Sequence, residues 1–390
     1  MNHTSNLTRR GLLATGSTLA VGLALGTGPW RTALADTRSV RLRLPSPTGR
    51  YPTGTTSLHL VDHGRIDPLA PTPRPRELMV RLWYPTGVGS RRGANYLPDG
   101  VAATYTSILE AASGVDLPDD LLTFPTNSRQ DAPVLDSARW PVVLFSPGQG
   151  LNATIYTALQ EELASHGYVV VGIDHTFDAV AVEFPFGRLE VGPLEGRPAD
   201  VLRPIHAADT IFVLDQLIDG HALTAALPGG LGDGLNRALD RSRIATFGHS
   251  LGSLTIINVM DQDSRFRAGA ILDGRPLGVA DLRQPFLMMG HPGHRRDSDP
   301  EWADFYDRLR GPRLHLAIEG TAHADFSDIS VVKETIDVSA LFETGPIDGQ
   351  RSLAIQRTYL TAWFERALRG RRNPLLQGES PAFPEVDFQP

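Results

Sequence analysis

From residue 141 onward, short uninterrupted apolar runs alternate with helix-length segments whose apolar residues recur every three or four positions. The runs are 142–145, 168–173, 244–247, 268–272, 286–289 and 314–318. A strand that is apolar at every position must be covered on both faces, as in a parallel sheet packed between helices. Between the runs lie 153–166, ended by Gly167, then 205–218, ended by Gly220, and a segment that begins at Leu251. The last helical stretch, 352–369, carries Ile355, Tyr359, Trp363 and Ala367 on one stripe and stops at Gly370. This spacing predicts an α/β protein with a mostly parallel, doubly wound sheet and helices on both faces.

Ahead of that core, residues 40–44 and 78–84 alternate apolar and polar side chains around a proline-rich stretch at 68–75, which predicts antiparallel edge strands. Two segments, 87–136 and 176–203, exceed ordinary connections and are expected to cover a site; neither is read as containing a long amphipathic helix. The tail 374–390 is proline-rich and is expected to run extended over the surface. No repeat or linker interrupts 36–390, which reads as one domain.

Composition narrows the chemistry. With 390 residues and 41% apolar side chains the chain builds a large core, so a disordered chain is excluded. There is no cysteine, which removes disulfides, zinc ribbons and thiol nucleophiles. Lys333 is the only lysine among 37 basic side chains, so a covalent nucleophile is an oxygen or that one amine. The net charge is −7 and the first 35 residues hold Arg9, Arg10 and Arg31 with no acid, so the remainder stands at −10. Such a balance argues against nucleic acid as a partner.

Those first 35 residues read as an address. Thr8-Arg9-Arg10-Gly11-Leu12-Leu13 precedes a weakly apolar stretch up to Gly28, and Ala33-Leu34-Ala35 follows with small residues at alternate positions. This predicts a cleaved twin-arginine signal, the Tat export machinery as a partner, and a mature chain starting near Asp36 in the periplasm or outside the cell. After its removal no integral membrane segment is expected, since no later stretch approaches eighteen apolar residues.

Gly248-His249-Ser250-Leu251-Gly252 has the form G-x-S-x-G, a string that carries weight only in context. Here 243–247 reads as a strand and 251–260 as a helix, so Ser250 falls on a strand-to-helix turn that exposes its hydroxyl. The alternative is that Ser250 merely caps that helix. A serine needs a histidine to take its proton, and in this arrangement the order is serine, acid, histidine. His291, His294, His315 and His323 follow Ser250. His315 lies inside a strand, whereas His323 stands in the loop 319–326 beyond the last strand, where the base is expected. The acid is Asp273, which closes the apolar run 268–272, or Asp297 or Asp299 in the loop after 286–289. Oxyanion donors are expected from the amide of Leu251 and from the glycine-rich turn 145–150. His175, at the end of another strand, faces the same edge.

Other motifs count for less. Gly230-Leu231-Gly232-Asp233-Gly234 has no preceding strand and reads as a flexible surface loop rather than a nucleotide loop. His291-Pro292-Gly293-His294 has a spacing that prevents helical presentation to a metal, so neither metal nor cofactor is expected.

Phe145-Ser146-Pro147-Gly148-Gln149-Gly150, the Ser250 pentapeptide, Leu272-Asp273-Gly274 and 320–326 together resemble the platelet-activating factor acetylhydrolase family of α/β-hydrolases, the secreted phospholipase A2 group VII type. The resemblance runs in scattered blocks from about Tyr51 to the C-terminus. It implies an α/β-hydrolase fold, the triad Ser250, Asp273 and His323, and oxyanion amides from Gln149 and Leu251. The implied activity is cleavage of small-molecule or lipid carboxylic esters with short acyl groups, including phospholipids like platelet-activating factor. A cutinase-like polyesterase, a lipase and a non-catalytic binding protein of the same fold are the rival readings. The chain departs from vertebrate members at Pro147 and at Ser253, both placed near the acyl pocket.

Overall fold

The computed structural model describes residues 42–88, 93–227, 230–277 and 281–389. The expected signal segment 1–35 lies outside them. In chain order the elements are β1 (Thr53–Ile66), β2 (Pro75–Pro85), α1 (Asp99–Ser113), β3 (Arg129–Gln130), β4 (Trp140–Ser146), α2 (Thr157–Ser165) and β5 (Val169–Asp174). There follow β6 (Ala181–Phe184), β7 (Arg188–Val191), α3 (Ala199–Asp219), α4 (His221–Ala226), α5 (Leu231–Ala238), β8 (Leu239–His249), α6 (Leu251–Gln262) and β9 (Phe266–Leu272). The chain ends with β10 (Phe286–Gly290), α7 (Pro300–Arg308), β11 (Arg313–Ile318), α8 (Ile329–Val332), α9 (Gly349–Arg369) and β12 (Val386–Phe388).

One ten-stranded sheet runs β12-β11-β10-β9-β8-β4-β5-β2-β1-β3. Its six central strands, β11 to β5, are parallel, and all six expected apolar runs lie in them. Because side chains alternate across a strand, β4 sends Val143 and Phe145 into a core with α2 and α9, and Val142 and Leu144 into one with α3 and α6. The sheet is therefore covered on both faces, which is why these strands show no polar alternation.

Four expectations differ from the structure. Residues 42–44 form no strand; β2 instead pairs antiparallel with β1 across the register Thr53↔Pro85 to Leu60↔Leu78. The tail does more than lie on the surface: Val386–Phe388 pairs antiparallel with β11 and covers a sheet edge that would otherwise present open hydrogen-bonding groups. The glycine motif at 230–234 is the start of α5, and a Cβ on Gly232 would stand 2.0 Å from the Leu223 carbonyl oxygen, so the glycine permits close packing on α4. The insertion 87–136 contains an amphipathic helix after all: α1 buries Val101, Ala102, Tyr105 and Leu109 and ends at Gly114 with φ 70°. Its apolar stripe is hard to read in the sequence because alanines, Ala103 and Ala111, also stand on the exposed face.

Candidate active site

The parallel strands deliver their carboxyl ends, and the loops that follow, to one edge of the sheet. At that edge β8 runs through His249 into Ser250, which has φ 54° and ψ −119°, and α6 starts at Leu251. A non-glycine residue in this left-handed region is strained and persists because its surroundings hold it. Gly248 and Gly252 allow the turn: a Cβ on Gly248 would lie 2.3 Å from the Gly252 oxygen, and one on Gly252 2.0 Å from the Ser146 oxygen. Ser250 does not cap α6 with its side chain.

The His323 ring sits with Nε2 2.9 Å from Ser250 Oγ and Nδ1 2.7 Å from Asp273 Oδ2. Asp273, the residue after β9, is buried, also has positive φ (47°), and is anchored by its amide to the Met289 carbonyl at 2.8 Å. Of the three candidate acids only Asp273 reaches His323. Asp299 instead caps α7 through the amides of Glu301 and Trp302 and meets His294 Nδ1 at 2.7 Å, and Asp297 is exposed.

The second oxygen of Asp273 is also satisfied. Oδ1 accepts from the His291 amide at 2.7 Å and lies 2.7 Å from His291 Nδ1. Burial opposes the charge on Asp273, but hydrogen bonds from His291 and His323 outweigh it and hold the carboxyl far below its ordinary range. The same bond raises His291 above its usual value. Among the described residues two groups bring three ligating atoms together, His249 with Asp273 and His323, and Asp273 with His291 and His294. Both share Asp273, whose two oxygens already serve His291 and His323.

The turn after β4 lies against Ser250: a Cβ on Gly148 would stand 3.3 Å from Ser250 Cβ. The Gly148 amide donates to Tyr156 Oη at 3.2 Å and the Gly150 amide to Asp178 at 3.5 Å, whereas the Gln149 amide has no acceptor among the described residues. Leu251 opens α6, so its amide is one of the free donors of a helix N-terminus. These two N–H groups are available to an oxyanion formed at Ser250. Ser253 does not face a pocket; it is buried and its hydroxyl donates to the Gly248 carbonyl at 3.0 Å.

His175 is buried and serves the scaffold. Its Nδ1 meets Asp209 at 2.9 Å and its Nε2 meets Ser146 Oγ at 3.1 Å, while Asp209 is paired with the buried Arg76 at 2.6 Å. This network pins the end of β4, and hence the turn that follows, to β2 and α3.

An apolar cavity of about 270 Å3 opens beside Gln149. Tyr105, Ile108 and Leu109 of α1 form one wall, Leu194 and its neighbours another, and Leu341 and Phe342 a third. Both insertions therefore contribute walls. Sequence reasoning missed His291, Tyr156 and His249 as partners of the site. The signal for His291 was its place directly after β10, the strand that pairs with β9 and so ends at the same edge as Asp273.

The family model described as platelet-activating factor acetylhydrolase, isoform II, matches residues 37–188 and 211–378. A probable 1-alkyl-2-acetylglycerophosphocholine esterase of Arthroderma benhamiae is 27% identical over 402 residues, spanning 91% of this chain and 96% of that protein. A platelet-activating factor acetylhydrolase of Canis lupus familiaris is 24% identical, over 87% and 81% respectively. The solved structure of a ferulic acid esterase from Streptomyces cinnamoneus is 32% identical with a TM-score of 0.75, covering 90% of this chain and 100% of its own.

Proposed function

The chain belongs to the platelet-activating factor acetylhydrolase, isoform II, family, and from that premise we propose that it is a serine hydrolase of carboxylic esters. Ser250 attacks the ester carbonyl while His323 takes its proton, Asp273 orients and stabilises the resulting imidazolium, and the amides of Gln149 and Leu251 receive the oxyanion. His323 then returns the proton to the leaving alkoxide and activates the water that hydrolyses the acyl-enzyme. The observation that carries this reading is the unbroken chain Ser250 Oγ, His323, Asp273, at 2.9 and 2.7 Å, on a strained turn beside two free amides.

The substrate proposed is a short-acyl ester of an apolar alcohol, with phospholipids like platelet-activating factor among the candidates. The cavity beside Gln149 is far larger than an acetyl group and walled by apolar side chains, with Glu195 as its one charged member, which suits an apolar leaving group. A second reading is supported by the same cavity and by the ferulic acid esterase neighbour: the pocket takes an aryl-containing acyl group instead. Measuring kcat/KM for p-nitrophenyl esters from acetate to palmitate, for acetates of lengthening alcohols, and for methyl ferulate separates the two. A preference for acetate that improves with alcohol length supports the first; methyl ferulate as the best substrate supports the second. Stoichiometric labelling of Ser250 by a fluorophosphonate tests the reading as a whole, and an unlabelled, folded protein would refute it.

The site of action proposed is outside the cytoplasm, on the strength of the Arg9-Arg10 segment. No helix among the described residues is long and apolar enough to cross a membrane. Arg9→Lys with Arg10→Lys is expected to leave the protein inside the cell, and undiminished export would contradict the assignment.

A further inference from the structure

Behind the nucleophile runs a second chain of hydrogen bonds. Tyr156, at the end of the short 3-10 turn Ala153–Tyr156 that leads into α2, is fully buried. Its hydroxyl accepts the Gly148 amide at 3.2 Å and lies 2.7 Å from His249 Nδ1. His249, the residue before the nucleophile, is itself buried, and its Nε2 lies 3.0 Å from the backbone carbonyl of His323.

The direction of this chain follows from its members. A carbonyl only accepts, so His249 Nε2 carries the hydrogen; Nδ1 of a neutral ring is then an acceptor, and the Tyr156 hydroxyl donates to it. The order is Gly148 N–H to Tyr156 O–H to His249 Nδ1, and His249 Nε2–H to the His323 carbonyl. The ring must be neutral for this, and burial, reinforced by neighbouring His323, pushes His249 down to about 3. The links join three separate segments: the oxyanion turn, the nucleophile turn and the loop that bears the base. Gly148 admits the approach, since a Cβ there would meet His249 Nδ1 at 3.0 Å and Tyr156 Oη at 3.2 Å.

We propose that Tyr156 and His249 are positioning residues that hold the Gln149 amide and the His323 ring in register with Ser250. Neither touches the reacting atoms. They act through Gly148, one residue before Gln149, and through the backbone of His323. The inference rests on the serine-hydrolase reading of Ser250.

The test uses the full-length mature protein. Fluorophosphonate labelling of the wild type checks that reading first, independently of the variants, which are then assayed on p-nitrophenyl acetate. Tyr156→Phe keeps the ring against Phe145, 4.6 Å between centroids, and removes only the hydroxyl. It is expected to lower kcat by about 10- to 100-fold with KM within about threefold, because displacement of a catalytic group by a fraction of an ångström acts on the transition state. All of the protein should still label, more slowly. His249→Gln puts an amide N–H where Nε2 stands and loses only the Tyr156 link, whereas His249→Leu loses both. The glutamine variant should therefore retain more kcat than the leucine variant, and adding Tyr156→Phe to it should cost little more. A Tyr156→Phe enzyme with wild-type kcat, or equal losses in the glutamine and leucine variants, overturns the proposal. So does a fall in kcat matched by an equal fall in the labelled fraction, because each folded site then turns over at the wild-type rate. If Tyr156→Phe does not fold, the two His249 variants decide alone.

Discussion

The two edges of the central sheet are both polar, in opposite ways. At the amino edge Arg50, Arg139, Arg243, Arg369, Arg371 and His166 line a cavity of about 540 Å3, twice the volume of the one beside Gln149. Its arginines are mostly occupied with the scaffold: Arg243 pairs with Asp240, and Arg369 binds Glu365 and the carbonyls of His166 and Gly167. At the carboxyl edge the ionisable groups around Ser250 are paired with one another rather than with the scaffold. Asp273 is buried between two histidines, and His323 stands between Asp273 and Ser250. Volume and charge do not make a site; donors and acceptors converging on one reactive atom do. The asymmetry originates in the parallel strands, whose carboxyl ends lead into helix N-termini with free amides that favour negative charge.

Substitutions should separate the edges sharply. Ser250→Ala is expected to fold and to lose activity by roughly 10⁵-fold or more, leaving only oxyanion and binding effects. Activity within about tenfold of the wild type on p-nitrophenyl acetate would remove the carboxyl edge from the chemistry. Asp273→Asn should lower kcat by about 10⁴-fold, since the histidine loses the charge that stabilises its protonated form. Asp297→Asn, in the same region but exposed, should stay within about twofold of the wild type.

Filling the apolar cavity should change selectivity rather than chemistry. Ala112→Trp narrows it from the α1 side. The expected result is a loss of kcat/KM that grows along the series of longer alcohols by up to about 0.8 kcal/mol per excluded methylene, while methyl acetate is nearly unaffected. A uniform loss across the series would mean that the pocket holds no part of the substrate. At the other edge Arg139→Ala should leave kcat/KM within about twofold, and a larger change in steady-state assays would join the two edges functionally.

Acid provides a finer comparison between site and scaffold. His249 and His315 are held at about 3, chiefly by burial, and His175 and His206 are also lowered. Unfolded, each binds a proton near pH 6.5 that the folded form refuses. Their neutral state is therefore fully compatible with folding above that pH, and stability falls as pH drops towards the folded values, by about 1.4 kcal/mol per pH unit per histidine. The buried carboxyls of Asp174, Asp178 and Asp328, raised by burial, act in the opposite sense over the same range, so the histidine contribution is read as a difference in urea midpoints between wild type and variant from pH 7.5 to 4.5. His315→Leu, away from the site on β11, should remove one histidine's share, so that the variant gains on the wild type by about 1.4 kcal/mol per pH unit below pH 6.5; no such gain would show that His315 takes up its proton in the fold.

Much of this arrangement was legible in the chain. The six buried strands announce themselves because covering both faces leaves no polar alternation, and Ser250 and His323 are marked by a strand-to-helix turn and a loop after the last strand. Residues 42–44 misled because alternation over so few positions does not distinguish a strand from an extended segment packed by its leucines. The tail strand β12 was hidden because three residues have no period; what makes them a strand is the open edge of β11.

The sequence by itself determined the layered fold and singled out Ser250 and His323 as the proposed nucleophile and base, since these follow from local periodicity and from the few glycines that a strained turn requires. The tertiary structure decided the rest. Asp273, Asp297 and Asp299 are chemically alike, and only the pairing of β9 with β10 and the ends of those strands bring the first to His323. Tyr156, His249 and Gly148 are unremarkable in the chain and become a linked set because three loops end within hydrogen-bonding distance of one another. Hydrogen bonds between residues far apart in sequence have no local pattern, so the positions that fix the geometry of the site emerge only once the chain has folded.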